Sequence, residues 1–282
     1  MMKHIPVIFF SLLFSLLIIG CEKGVDNSDT GTLSVKLTDA PFPIDMVSEA
    51  NVKITKVEVR NSQSDSEGNP FLVLSEEDSV FNLLELQNGI TAELVEIEVP
   101  VGEYDLVRLY VDSAGVELKD QTEFDMRVPS GPQTGIKIFI DPPITVVGGL
   151  TTELVLDFDV SQSFVVQGNP YTPAGIKGFT FKPVIRAANV SVSGRIEGTV
   201  TDAQSDVVEN AYVWIEDNGV TYTSFTDEEG YFVVANIPTG LYTVHVSKKF
   251  DAGEPVTVTV EDVNVVAGNK TQIQVRMLFQ EE

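Results

Sequence analysis

Short alternating runs of apolar and polar residues cover most of this chain, and long helical periodicity is absent. TLSVKLT (32–38), NVKITKVEV (51–59), LVRLYV (106–111), GIKIFI (135–140), ELVLDFDV (153–160), VTVTV (256–260) and TQIQVRM (271–277) alternate or are rich in β-branched residues. Gly, Pro, Asn or Asp separates them. Runs of period two bounded by turn residues read as strands. One stretch, SEEDSVFNLLELQNG (Ser75–Gly89), is expected to hold a short helical turn. The pattern predicts an all-β protein of two antiparallel β-sandwich domains in tandem, Thr30–Asn189 and Val192–Glu282.

The two halves echo one another. GTLSVKLTDA (31–40) and GRIEGTVTDA (194–203) share a glycine, alternating apolar residues and Thr-Asp-Ala at the same spacing. Pro-x-Gly-x-Tyr recurs as Pro100, Gly102, Tyr104 and as Pro238, Gly240, Tyr242. Pro and Gly make the turn, and the next strand begins with a tyrosine large enough to cover a sandwich end. Duplication and convergence on common strand–turn chemistry both account for the echo.

These residues also carry family resemblances. The second half resembles the carboxypeptidase regulatory-like domain, a transthyretin-like sandwich. Its matching residues are Gly198, Val200, Asp202, Asn210-Ala211, Val213, Thr226-Asp227, Gly230-Tyr231-Phe232, Pro238, Gly240, Tyr242 and Val244. That resemblance implies a non-catalytic appendage. The first half resembles the bacterial domain-of-unknown-function family 4382, through LTDAP (37–41), NLLELQNG (82–89), VPVGEYDLVRLYV (99–111), VPSGPQTGIKI (128–138) and LVLDFD (154–159) followed by Ser161. It implies no activity.

The N-terminus has a different pattern. Lys3 and His4 precede an almost wholly apolar run from Ile5 to Ile19, broken only by Pro6, Ser11 and Ser15. A membrane span needs ~20 apolar residues, so this shorter terminal run reads as the core of a secretory signal. Ile18-Ile19-Gly20-Cys21 resembles the bacterial lipobox, which implies a signal peptide at 1–20, lipid on Cys21 and a tether at 21–29. One acyl chain, such as a palmitate, anchors marginally, whereas several hold a protein on its membrane. Glu22 in place of aspartate implies an outer-membrane lipoprotein of the cell envelope, with its periplasmic or surface face open.

Charge and composition narrow the chemistry. With 42 acidic against 18 basic residues, the net charge of −24 argues against nucleic acid as a partner. Cys21 is the only cysteine, so no internal disulfide is expected. His245 is the only histidine beyond the leader. Within YTVHVSKK it is expected on a solvated strand face beside Thr243 and Ser247. Histidine-dependent nucleophilic catalysis and a histidine-rich zinc site find no support. No catalytic residue is assigned. A glycosidase would need two carboxylates about 5–10 Å apart across a cleft, and no such pair stands out.

Candidate binding residues remain. Asp157, Asp159 and Ser161 share one strand face. That face reads either as a solvated outer surface or, joined by Asp39, as hard oxygen donors for a calcium ion. DEEG (227–230) reads as an ordinary turn rather than a calcium loop. The long loop SQSFVVQGNPYTPAGIKG (161–178), carrying Phe164 and Tyr171, reads as functional or mobile. Asn218-Gly219 predicts a type I′ hairpin pairing Asp217 with Val220, Trp214 with Thr223 and Tyr212 with Phe225. Ala211, Val213 and Ile215 then face the core, and Tyr212, Trp214 and Phe225 line the other face. Such a stripe is a platform for a sugar ring, or else it is covered by the first domain or a loop. The expected function is a non-catalytic, membrane-anchored binding or scaffolding module with a glycan or envelope protein as ligand. A purely structural, adhesive protein–protein module is the alternative.

Overall fold

The computed structural model describes residues 28–40, 46–63, 69–128, 131–169, 172–249 and 254–278. Cys21, the leader and Tyr171 lie outside the described residues. Two hydrophobic cores form, one on each side of Asn189.

The first domain contains β1 (Thr30–Ala40), β2 (Val47–Asn61), β3 (Phe71–Ser75), β4 (Ser79–Asn82), β5 (Ala92–Pro100) and β6 (Gly102–Leu118). It continues through β7 (Glu123–Met126), β8 (Ile136–Val146), β9 (Thr151–Asp159), β10 (Phe164–Gly168), β11 (Ile176–Phe181) and β12 (Ile185–Asn189). The second contains β13 (Ser193–Thr201), β14 (Tyr212–Asp217), β15 (Val220–Phe225), β16 (Tyr231–Pro238), β17 (Gly240–Lys248), β18 (Val256–Val265) and β19 (Lys270–Arg276). Between β4 and β5, Leu83–Leu86 makes the expected helical turn, capped by the Asn82 side chain on Leu84 N–H.

The all-β expectation holds, but the sandwiches are not purely antiparallel. In the second domain one sheet runs β16-β13-β19 and the other β15-β14-β17-β18, with β13 and β19 parallel. In the first domain β1 and β9 are likewise parallel. In the second domain the last strand thus falls beside the first, and in the first domain β9, reached from β8 by a short connection, takes the equivalent place beside β1. The first domain departs further. Eight of its strands form one path, β3-β2-β6-β8-β12-β9-β1-β5, because β12 bridges the two layers, with β4 and β7 paired alongside β2 and β6. The bridge is firm on one side only. β12 pairs with β9 over Ile185–Asn189 but meets β8 at the single pair Ala187–Ile140. Within the long loop after β9, Phe164–Gly168 and Ile176–Phe181 pair as the β10–β11 hairpin, pinned by Phe164 packed edge-on against Phe181 at 5.0 Å.

The echo between the halves is a shared frame. Thr30 faces Pro100 and Ser193 faces Pro238. Gly102 faces Val146 and Gly240 faces Val265. Thr32 faces Thr151 in parallel register, as Arg195 faces Lys270. Even the crossing turns agree. Thr32 N–H donates to Leu150 at 2.9 Å and Arg195 N–H to Asn269 at 3.1 Å, while Gly149 and Gly268 donate to Thr30 and Ser193 at 3.0 and 2.9 Å. The repeated tyrosines do the same work: Tyr104 is buried with its hydroxyl 2.8 Å from Pro100 O, and Tyr242 reaches Pro238 O at 2.9 Å.

Candidate functional site

The hairpin β14–β15 forms in the expected register, Asp217 with Val220, Trp214 with Thr223 and Tyr212 with Phe225. Asn218 and Gly219 take φ of 49° and 83°, as a type I′ turn requires. Ala211, Val213 and Ile215 are buried in the core. Alternation therefore puts Tyr212, Trp214 and Phe225 together on the outer face. Tyr212 stacks on Trp214 with centroids 5.1 Å apart and planes 21° apart, and tilts against Phe225 at 5.2 Å. A fourth ring completes the row. β17 pairs with β14 so that His245 lies opposite Trp214, stacked on it at 4.9 Å and 19°. His245 does share its face with Thr243 and Ser247, but it is half-buried against the indole rather than freely solvated. All four rings are half-buried. Burial raises the Tyr212 phenol above its ordinary range, and the nearby acids Asp159 and Glu216 raise it further.

Asp159 belongs to the first domain. Here the carboxylate expectation needs correction. The Asp157–Asp159 face is not solvated: Asp39, Asp157 and Asp159 are all buried. Its covering positive charge is Arg186 on β12, which pairing places opposite Asp157. The guanidinium lies 2.9 Å from Asp157 and 3.7 Å from Asp159. Asp159 also caps the helical turn Val160–Ser163, accepting from Gln162 N–H at 3.1 Å and Ser161 hydroxyl at 2.7 Å. Asp39 accepts from Val160 N–H at 3.2 Å. Oxygens that calcium would need thus receive donors from Arg186, side chains and backbone. Among the described residues no three His, Cys, Asp or Glu side chains are grouped to hold an ion. Burial pushes the Asp157 carboxyl up, and Arg186 offsets part of that rise.

Tyr222, one strand residue beyond the row and on the other face of β15, closes this cluster from the second domain, its ring 5.4 Å from the Arg186 guanidinium. Beside it Ser224 Oγ donates to Asn88 Oδ1 across the domain boundary at 2.8 Å. Gly89 follows at φ 78°, where a Cβ would stand 3.2 Å from Val233, so the approach of the domains needs glycine there. Sequence reasoning missed Arg186, Tyr222 and His245. The one available signal was an arginine inside the otherwise apolar strand VIRAA (184–188). DEEG is an ordinary turn, with Asp227 accepting from Glu229 and Tyr231 N–H at 3.1 and 2.8 Å.

Residues 30–183 match the family model described as "Domain of unknown function (DUF4382)", and residues 195–278 match the "Carboxypeptidase regulatory-like domain". No curated protein matches the chain. Among solved structures, similarity is found to the Bacillus anthracis TIE protein, at 9% identity and TM-score 0.26 over 88% of this chain and 40% of that one. GBS52, the minor pilin of Streptococcus agalactiae, aligns at 8% identity and TM-score 0.27 over 88% of this chain and 97% of that one. The shaft pilin spaA of Lactobacillus rhamnosus GG aligns at 9% identity and TM-score 0.27, covering 90% of this chain and 99% of the pilin.

Proposed function

The chain belongs to the DUF4382 family, and on that footing we propose that it is a non-catalytic binding module of the bacterial envelope. Cys21 carries the lipid that holds it to the outer membrane, and the two sandwiches present a surface to a carbohydrate. The carboxypeptidase regulatory-like domain behind the first sandwich supports an appendage role over an enzymatic one.

The observation that carries the reading is the row Phe225–Tyr212–Trp214–His245. Its rings are held by one another on a flat sheet face flanked by Thr223, Thr243 and Ser247. Rings already fixed in place lose little rotamer freedom when a ligand binds. A pyranose offers an apolar C–H face to such rings and hydroxyls to the neighbouring Thr and Ser.

Trp214 is the only tryptophan, so its emission reports on the row alone. Titration of the soluble chain from Gly24 with a panel of polysaccharides is expected to shift or quench that emission with at least one glycan. Trp214→Ala is expected to weaken retention on that glycan at least tenfold. Emission indifferent to every glycan would make the row internal packing and favour the purely structural, adhesive reading, which the repeated sandwich frame supports.

A further inference from the structure

A cleft of about 460 Å³ opens between the two sandwiches, lined by Tyr222 from the face of β15 opposite the row and by none of the row's four rings. That volume falls within the ~300–1,000 Å³ of ligand clefts, which favour domain boundaries. Its first-domain wall is built from β8 and β12, and its second-domain wall from Val220, Tyr222, Asn236 and Pro238. Phe139 of β8 stands at its lip with 66% of its surface exposed. Tyr222 faces the cleft from the second domain, and Arg186 lies at its floor.

Asn236 lines the cleft as well, from a bulge in β16 where the pairing with β13 slips between Gly194 and Ile196. Its φ is +58°. A non-glycine residue held there costs energy, and bulges beside binding sites re-aim side chains.

The charges decide the class of ligand. Arg186 is already paired with Asp157 and Asp159. Lys137 and Asp141 on the lip oppose one another in sign. An anion would find little uncompensated positive charge, and the chain's −24 repels it at long range. What remains is an aromatic ring on each side, an amide and a neutralised ion pair. That set suits a molecule with apolar faces and uncharged hydroxyls.

We infer that the interdomain cleft binds a neutral oligosaccharide through Phe139, Tyr222 and Asn236. The inference shares the carbohydrate class with the proposed function but places a second site away from the aromatic row. The test is calorimetric titration of the full chain with cellohexaose, mannohexaose, xylohexaose and chitohexaose, and with polygalacturonate as the acidic comparison. Phe139 is exposed, so Phe139→Ala leaves the core untouched. The expected result is binding of at least one neutral hexasaccharide that weakens tenfold or more in Phe139→Ala and in Asn236→Ala. Binding lost in Trp214→Ala and kept in Phe139→Ala would overturn the cleft and leave the row. Polygalacturonate bound more tightly than every neutral sugar would overturn the ligand class. Binding of none of the hexasaccharides would overturn the cleft, while the row stands or falls separately by the Trp214 emission.

Discussion

At the scale of single residues, the two corner tyrosines are one device used twice. Each ring fills a sandwich end and each hydroxyl donates to the carbonyl four residues back. Tyr104→Phe and Tyr242→Phe keep the ring and lose the bond, so each should cost about 1 kcal/mol in urea unfolding. Costs differing severalfold would show that the two corners are not equivalent. Glu58 makes a different point. Burial alone would raise its carboxyl, but Lys56 at 2.9 Å, the Tyr110 hydroxyl at 2.9 Å and Arg108 at 3.2 Å outweigh it and hold the group below the usual glutamate range. The unfolded chain then binds the proton more readily than the folded one. Stability from Glu58 is complete above the ordinary glutamate value of 4.5 and is lost as pH falls through the lower folded value. Glu58→Gln should therefore cost about 1–3 kcal/mol at pH 7 and progressively less on acidification. A penalty equal at neutral and acid pH would refute the charged role.

At the scale of elements, glycine at the crossing turns sets how closely β1 and β13 approach the hairpins beside them. A Cβ on Gly31 would stand 2.3 Å from Val147 O, and one on Gly194 would stand 2.5 Å from Val266 O. Neither backbone oxygen has room to yield, so Gly194→Ala should destabilise by about 1–3 kcal/mol. Gly115, inside β6, meets nothing nearer than 3.7 Å, and Gly115→Ala should be neutral or slightly stabilising. Equal thermal shifts in the two variants would mean that the close approach does not govern. These elements also separate what the sequence discloses from what it hides. Period-two alternation exposed the strands, and Asn218-Gly219 fixed a register that placed Tyr212, Trp214 and Phe225 on one face. His245 joined that row only through the pairing of β14 with β17, which are distant in sequence. The same limit hid Arg186. Alternation put Asp157 and Asp159 on one face of β9, but nothing local says that β12 will lie beside it and bring a guanidinium. The parallel pairing of β1 with β9 and of β13 with β19 leaves no local mark either.

At the scale of the molecule, the two cores share no buried residue. They are joined by the short turn Val190–Val192, which the Asn189 side chain caps through Ser191 N–H at 3.1 Å. Across the junction run the Ser224–Asn88 hydrogen bond, the close approach of Gly89 to Val233, and Tyr222 over Arg186. Contacts of this polar kind resemble those between transient partners more than those within a core. The domains should then unfold separately, with two transitions in scanning calorimetry. Arg186→Met leaves Asp157 and Asp159 without their cation, a change that costs about 3–5 kcal/mol in a fully buried pair. The Arg186 side chain retains 22% of its exposure, so the lower end applies, about 2–3 kcal/mol after screening. At ~2–4 °C per kcal/mol for a domain of this size, the first domain's transition should fall by several degrees while the second's stays nearly fixed. Gly194→Ala should do the reverse. If either substitution moved both transitions together, the junction would be stiff enough to make the two sandwiches one cooperative unit, and the cleft between them a fixed feature rather than the meeting of two independent bodies.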